Sequence, residues 1–537
     1  MNRVLRFPLV VLIAVLMSLS LFAQESFSRI GRIQATADDV GGYGNIISGV
    51  DLDGDGNKEI YAVNDDWYDA INLDLIPRIY KYEKDALGDW QIVWSTRLPL
   101  DFQNTWPPLA VTDLDNDGKM EITWGPTNNF GGGLQPNPVR VVVFETPGDG
   151  SDDMGIDNGD GTWAPNASWT ITDQNDNNIR PFRYVVKDID GDGTDEIISS
   201  ARVGNGLMIF STDDVPDNGD GSETWTMEFE AFAGATCYDI AVLGTNVYAI
   251  EQGGTVYKAS WNGTGYEAVD TLVNGIPGGS WKAAQIVDVD GDGTEEMLVA
   301  GWSSGTSAVF LVQESGDTLL ASMIADPMDA RVNRLYGGDA GDVDGDGNVD
   351  YIFGTRQSAP NGLVYRLEYQ GGDITDPASY QLSEIDSMAF SGQQYDIFSV
   401  GDLTGDATDE ITYSGTPRGA AQDSAKYITI LGDPVTGIGD RPQILEGFAL
   451  LQNYPNPFNP TTTLEFEIPA AMGVTIKIYN ALGQEVRTLV NETRQAGMNR
   501  VEWDGRNNSG QKVASGLYIY SMRAGKYRQS RRMTLLK

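Results

Sequence analysis

The acidic segment DLDGDGNKEI, residues 51–60, returns five times along the chain, and this recurrence constrains the fold more than any other feature. The copies are DLDNDGKMEI from Asp113, DIDGDGTDEI from Asp188, DVDGDGTEEM from Asp288, DVDGDGNVDY from Asp342 and DLTGDATDEI from Asp402, at intervals of 62, 75, 100, 54 and 60 residues. One interval is nearly double the others, so a degenerate copy is expected between 188 and 288. The stretch YDIAVLGTNVYAIEQGGTVYKAS fits, because Asp239 opens an apolar run in the right frame while the acidic loop has shrunk to Leu243-Gly244-Thr245-Asn246. A short alternating strand follows each copy: RIYKYE from Arg78, VRVVVFE from Val139, GLMIFS from Gly206, GTVYKAS from Gly254, SAVFLV from Ser307, GLVYRLE from Gly362 and KYITIL from Lys426. The chain therefore carries seven units, six of them with acidic loops.

Each unit reads as apolar strand, acidic loop, apolar strand, glycine-bearing turn and alternating strand, often with a fourth strand such as DWQIVW from Asp89 or TWTMEFE from Thr224. Four short strands repeated at a period of roughly 40–75 residues are the pattern of propeller blades, whose sheets pack face to face. The last unit lacks a fourth strand, since GDPVTGIGDRPQ follows KYITIL directly. FSRIGRIQA, from Phe27, belongs to no unit and can fill that place, closing the ring with the two ends of the chain. A count of 63 glycines supplies the turns, and 41% hydrophobic residues supply a core. The expected fold is all-β: a seven-bladed β-propeller, followed past Pro442 by stretches such as TIKIYNALGQEVRTLV that alternate like the strands of a small β-sandwich.

In the first loop Asp51, Asp53 and Asp55 alternate, so a tight turn can aim their oxygens at one point, and Gly56 sits where a residue with a β-carbon would be strained. The backbone carbonyl of Asn57 and the carboxylate of Glu59 complete a cage of the six to eight oxygens that calcium prefers; magnesium wants fewer protein ligands. The corresponding ligands are Asp113, Asp115, Asp117, Lys119 and Glu121; Asp188, Asp190, Asp192, Thr194 and Glu196; Asp288, Asp290, Asp292, Thr294 and Glu296; and Asp342, Asp344, Asp346, Asn348 and Asp350. In the sixth loop, Asp402, Thr404, Asp406, Thr408 and Glu410, a threonine replaces the second acid and Ala407 stands where glycine is expected, so that site is weaker. An EF-hand needs an acid at position twelve and flanking helices. Position twelve is Ala62, Trp124, Ser199, Val299, Phe353 and Tyr413, and the flanks alternate like strands, which excludes it. Each calcium is expected to rigidify its hairpin rather than to touch a ligand. Two further insertions, DNGDGTWAP from Asp157 and DNGDGSETW from Asp217, lack the alternating spacing and are expected as solvent-facing hairpin turns, suited to partner contact.

The first 23 residues place Arg3 and Arg6 before an apolar run that ends near Ala23, the pattern of a signal peptide. No later run approaches the ~20 apolar residues of a membrane span. Cys237 is the only cysteine, so no internal disulfide can brace an exported chain, and metal ions are the expected substitute. The absence of histidine removes Ser-His and Cys-His catalytic arrangements and His-ligated metals. Formal charge is −41, and it is uneven: residues 445–537 hold 12 Lys and Arg against 7 Asp and Glu, the rest 24 against 70. Such an acidic body repels phosphate backbones, which argues against a nucleic-acid partner.

Taken together, the acidic loops and their flanking strands resemble the FG-GAP (VCBS-type) repeats of integrin-α-like propellers over about residues 26–434. The resemblance implies that each calcium loop lies in the hairpin between the first two strands of a blade. After a linker at 435–452, the motifs NYPNPFNP, YNALGQEV, WDGRNNSGQKVASGLYIY and MTLLK resemble the C-terminal sorting domain of the type IX secretion system of Bacteroidetes, Ig-like and related to the flagellar hook-capping type, over 453–537. That implies export to the outer surface of a Gram-negative bacterium, release or attachment there, and the secretion machinery as a partner.

The leading functional expectation is a secreted or cell-surface calcium-stabilised propeller that binds a glycan or surface protein, with adhesion as its use. One alternative is a secreted calcium-dependent polysaccharide lyase working with Lys, Arg or Tyr; another is a ligand-free structural repeat protein of the envelope. No catalytic residue is nominated. Trp67, Trp106, Trp281 and Trp302 could stack on sugars, although packing between blades is the commoner fate of such residues.

Overall fold

The computed structural model describes residues 27–36, 38–39, 41–65, 76–85, 88–98, 106–127, 139–172, 179–202, 206–269, 272, 274–303, 307–316, 318–327, 332, 334–356, 362–388, 397–414, 427–432, 448–450, 453, 456, 458–468, 470–480, 484–495, 497–525 and 527–536. Residues 1–23, expected as a signal peptide, Trp67 and most of the expected linker at 435–452 lie outside them. The architecture is all-β, with a 3-10 turn at Pro377–Ser379 and no α-helix among the described residues.

Seven four-stranded antiparallel sheets precede residue 433. The first runs through Tyr43–Val50, Glu59–Asn64, Arg78–Lys84 and Trp90–Arg97. The second comprises Leu109–Thr112, Glu121–Trp124, Val141–Glu145 and Ala167–Trp169, and the third Arg180–Lys187, Glu196–Arg202, Gly206–Thr212 and Trp225–Ala231. The fourth, Cys237–Leu243, Asn246–Glu251, Val256–Trp261 and Tyr266–Val269, is the unit that lost its acidic loop. The fifth opens with Ala284–Val287 and Glu296–Ala300, the sixth with Arg334–Gly341 and Asp350–Arg356, and the seventh with Ile397–Gly401 and Glu410–Ser414.

The seventh sheet is completed by the start of the chain. Ser28–Gln34 pairs antiparallel with Tyr427–Gly432, Ser28 opposite Gly432 and Gln34 opposite Tyr427. Arg29 adds a bidentate ion pair to Asp386 of the sixth sheet, at 2.8 and 2.9 Å. The missing fourth strand of the last unit is thus supplied by FSRIGRIQA, as the missing strand at one end and the segment without a unit at the other predict.

Each sheet buries both faces against its neighbours, because the second and third strands are apolar on both sides. Ile60, Tyr61, Ala62 and Val63 are all fully buried, and so are Leu207, Met208, Ile209 and Phe210. The apolar residues sort into one cluster per adjacent pair of sheets. Ile60 and Ile430 share the cluster joining the seventh sheet to the first; Val63 and Phe144 join first to second, and Leu311 and Phe353 join fifth to sixth. Burying one such side chain contributes roughly 1.5–3 kcal/mol. The first strands neighbour one another in a cycle that returns from Ile397–Gly401 to Tyr43–Val50. At that seam the backbones nearly touch: a β-carbon on Gly49, whose φ is +81°, would stand 2.6 Å from the Gly401 carbonyl carbon.

Beyond the ring, strands of Ala449–Leu450, Thr462–Ile468 and Gly497–Trp503 form one sheet, and Glu485–Arg494, Met472–Asn480, Gly516–Ala524 and Tyr527–Leu535 a second. Leu464, Phe466, Ile476, Trp503, Tyr520 and Met533 fill the space between them, the alternation expected of an Ig-like sandwich. Arg531 reaches Asp89 at 3.2 Å and Arg532 reaches Asp85 at 3.5 Å, both on the first sheet's outer turn.

Candidate metal sites

All six acidic loops join the first strand of a sheet to its second, so they gather at one end of the ring. They share one backbone scheme. The carboxylate at position nine accepts the N–H of position two: Glu59 from Leu52 at 3.0 Å, Glu196 from Ile189 at 2.7 Å, Glu296 from Val289 at 2.9 Å, Asp350 from Val343 at 3.0 Å and Glu410 from Leu403 at 2.8 Å. Glu121 does the same for Leu114 at 2.5 Å. Position one accepts the N–H of position six, as in Asp188 from Gly193 at 3.2 Å and Asp342 from Gly347 at 2.9 Å. The N–H of position seven (Asn57, Lys119, Thr194, Thr294, Asn348 and Thr408) is donated to the acid at position five.

Position six needs positive φ, and glycine supplies it at +90° in Gly56 and +96° in Gly193. In the sixth loop Ala407 is held at +67° and still donates to Asp402, so the degenerate loop keeps the turn at the cost of strain.

The scheme directs the remaining oxygens inward. Carboxylate oxygens of Asp113, Asp115, Asp117 and Glu121 lie within 4.8 Å of one another, and so do those of Asp188, Asp190, Asp192 and Glu196. Asp51, Asp53 and Glu59 converge in the same way. Glu121 is fully buried, yet its Oε1 has no hydrogen-bond partner, and neither has Oδ1 of Asp113. Burial pushes the position-nine carboxyls up, against the pull of the backbone bond: Glu121 to about 9, Glu59 to about 8, and Glu196 and Glu410 to about 7. A cluster of hard oxygen donors, some orphaned and costly to ionise unaided, fits a calcium-sized cation.

Basic side chains that the loop motif does not announce also enter these clusters. Lys81, on the third strand of the first sheet, is fully buried and bonds Asp53, with Glu83 and Asp152 each at 2.9 Å and Glu59 at 3.5 Å. Burial works against its charge, but those bonds hold its pKa above the ordinary lysine range. Arg366, at the matching place in the sixth sheet, bonds Asp344 at 2.5 Å, Asp350 at 2.6 Å and Glu368 at 3.0 Å. Lys119 bonds Asp217, and also Asp117 at 2.9 Å and Glu145 at 3.3 Å.

Two of those partners come from the insertions carrying Asp157 and Asp217, whose tips are solvent-facing as expected but whose flanks also pack back on the ring. The first packs back on the first sheet, where Thr96 exchanges hydrogen bonds with Trp163 at 2.8 and 2.9 Å and Asp152 meets Lys81. The second brings Asp217 to Lys119, and Val215 donates to Asp115 at 2.8 Å. Each insertion seals the acidic loop of the preceding sheet. Glu83, Glu145 and Glu368 are the legible trace of this arrangement, since RIYKYE, VRVVVFE and GLVYRLE end in Glu where the other strands of the series do not.

The first strands enclose a cavity of about 360 Å³ lined by Asn45, Arg183, Gln285, Asp339 and Ser399 among others. Asp239 of the loopless fourth sheet is fully buried beside it, bonded to Arg183 and accepting the N–H groups of Ala283 and Ala284 at 2.7 and 2.8 Å. At the end of the ring away from the acidic loops, Trp281 stacks on Tyr238, Tyr336 and Trp302 at 4.6, 4.9 and 5.8 Å, and Trp106 meets it edge-on from across the ring. Trp106 and Trp281 are 2% and 5% exposed, so they pack over the ring rather than present a free stacking platform.

Comparison with known proteins agrees with this division. An FG-GAP-like repeat family matches residues 51–124, which span the first two acidic loops, and the FlgD Ig-like domain family matches residues 456–527. No curated protein matches. Among solved structures, the chain is similar to BBS1N in complex with ARL6DN, soaked with lead, at 12% identity and a TM-score of 0.44, over 77% of this chain and 99% of that one. It is also similar to a fungal alcohol oxidase of the AA5 family in complex with copper, at 12% identity and a TM-score of 0.42, over 96% and 100%.

Proposed function

We propose that this chain is a secreted or cell-surface, calcium-stabilised seven-bladed β-propeller that binds a glycan or surface protein, and that its C-terminal domain directs export through the type IX secretion system. The observation that carries the reading is the acidic loop built six times on one backbone scheme at one end of a closed ring, with buried carboxylate oxygens left without partners. Residues 1–23 are the signal peptide, 26–434 the propeller, 435–452 a linker and 453–537 the sorting domain. In each loop the oxygens at positions one, three, five and nine, with the carbonyl at position seven, hold the ion, and calcium neutralises charges that otherwise repel. The ion fixes the hairpins, and the ligand is met elsewhere, on the loops of the opposite end or at the cavity.

Calcium content of the purified protein, with melting in calcium and in EDTA, tests the metal. Equal melting temperatures in both, with no bound calcium, would sink it. A glycan array and a surface-protein pull-down test the ligand, and retention of a chain truncated before residue 453 inside cells that secrete the full chain tests the export role.

A further inference from the structure

The six acidic loops are of two kinds, and the difference lies on the third strand of each sheet. Opposite the residue two places after the closing acid stand Lys81, Val143, Ile209, Leu311, Arg366 and Ile430 in the six loop-bearing sheets. Two residues further on come Glu83, Glu145, Ser211, Gln313, Glu368 and Gly432. Three sheets therefore set an extra Glu against the loop: Glu145 stands directly opposite Glu121, and Glu368 directly opposite Asp350. Like charges facing across a ladder destabilise it unless a cation lies between them. In those same three sheets a basic side chain bonds both the extra Glu and a loop acid: Lys81, Lys119 and Arg366. Among the described residues, no ion pair joins a Lys or Arg to an acid of the loops beginning at Asp188 or Asp288, whereas Lys84 approaches the loop at Asp402, donating to the Leu403 carbonyl at 3.4 Å and acting on the Glu410 carboxylate.

We propose that the loops at Asp51, Asp113 and Asp342 carry a second, outer cation position, made by the third-strand Glu and the loop acids and filled by the protein's own ammonium or guanidinium group. The lysines reach it by different routes, Lys81 from the third strand and Lys119 from loop position seven, so what recurs between the loops is the position rather than the side chain that fills it. Side-chain exposure of 0% for Lys81 and 3% for Arg366 removes competition from water. Asp152 and Asp217, from the next sheet's insertion, close the position at the first two loops. The consequence rests on the calcium reading above: loops with a built-in cation keep their shape when calcium is withdrawn, whereas those at Asp188 and Asp288 have only the metal. Those two flank the loopless fourth sheet, so dependence on calcium concentrates on one arc of the ring.

Hydrogen exchange read by mass spectrometry on the full mature chain, with saturating calcium and then with EDTA, tests this. Chelation is expected to speed exchange at least about tenfold in hairpins 185–199 and 286–299, and less than about threefold in 48–62 and 340–352. Lys81→Met should move 48–62 into the sensitive group, and Lys81→Arg should leave it resistant. Equal acceleration in all four hairpins of a calcium-containing protein overturns the proposal, as does a folded Lys81→Met whose first hairpin still resists EDTA. If Lys81→Met does not fold, the wild-type pattern alone decides. A protein that holds no calcium and ignores EDTA everywhere overturns the calcium reading instead, and this proposal with it.

Discussion

The two ends of the ring are built on opposite chemistry. One carries six acidic loops, each closed by carboxylates; at the other, arginines stand opposite one another across strands at Arg78 and Arg97, Arg180 and Arg202, and Arg334 and Arg356. Several lie over aromatic rings: Arg202 over Phe182 at 5.2 Å, Arg334 over Trp302 at 4.2 Å and Arg356 over Tyr336 at 4.9 Å. Cation–π contact of this kind contributes about 0.5–2 kcal/mol. The acidic end repeats one local design, whereas the basic end is assembled once from residues contributed by many sheets. A net charge of −41 conceals this separation entirely.

The comparison can be broken most forcefully with EDTA. Each site held at a hundredfold excess of calcium over its dissociation constant adds about 2.7 kcal/mol, so chelation should lower the melting temperature by at least about 10 °C. Calorimetry with and without EDTA checks it. At the other end, Trp281→Ala removes the ring on which five aromatics converge and should cost about 3–5 kcal/mol in denaturant unfolding, while the number of calcium ions bound stays unchanged. A loss of calcium in that variant would couple ends that the structure keeps apart.

Acidity supplies a third test. The carboxyls of Glu59 and Glu121 are raised by burial to about 8 and about 9 from an ordinary 4.5. Without metal, the folded chain keeps protons there that the unfolded chain releases, so this contribution is present below pH 4.5 and declines as pH rises toward 8–9. Melting in EDTA should therefore fall between pH 5.5 and 8.5, and the stabilisation by added calcium should widen over the same range. Melting curves at the two pH values decide it. The smallest effect is expected at Asp89→Ala, which removes a partly exposed ion pair while Arg531 keeps its bond to the Leu450 carbonyl: about 0–1 kcal/mol, measured by denaturant unfolding.

What was legible follows from distance along the chain. The loops and their strands are local, and the spacing between Asp188 and Asp288 was enough to locate the fourth sheet around Asp239. The closing strand was also readable, because one unit lacked a strand and one segment lacked a unit. Lys81 was not legible as part of a site, since a lysine in an alternating strand ordinarily faces water, and its partner Asp152 lies 71 residues away. The insertions were half legible for a related reason: DNGDG describes a turn and its exposed tip but not the surface against which its flanks fold. Trp106 and Trp281 are 175 positions apart, and no periodicity links them.

The pairing of Ser28–Gln34 with Tyr427–Gly432 also has a consequence in time. The strand that completes the last sheet comes first in the ring and is used last, so the first and sixth sheets each keep a face uncovered until nearly four hundred residues have been added. Closure over such a span is slow compared with forming a local hairpin. The completed seam is then the place where an unfinished molecule differs most from a finished one, and a protease that tolerates the circle would find the open arc.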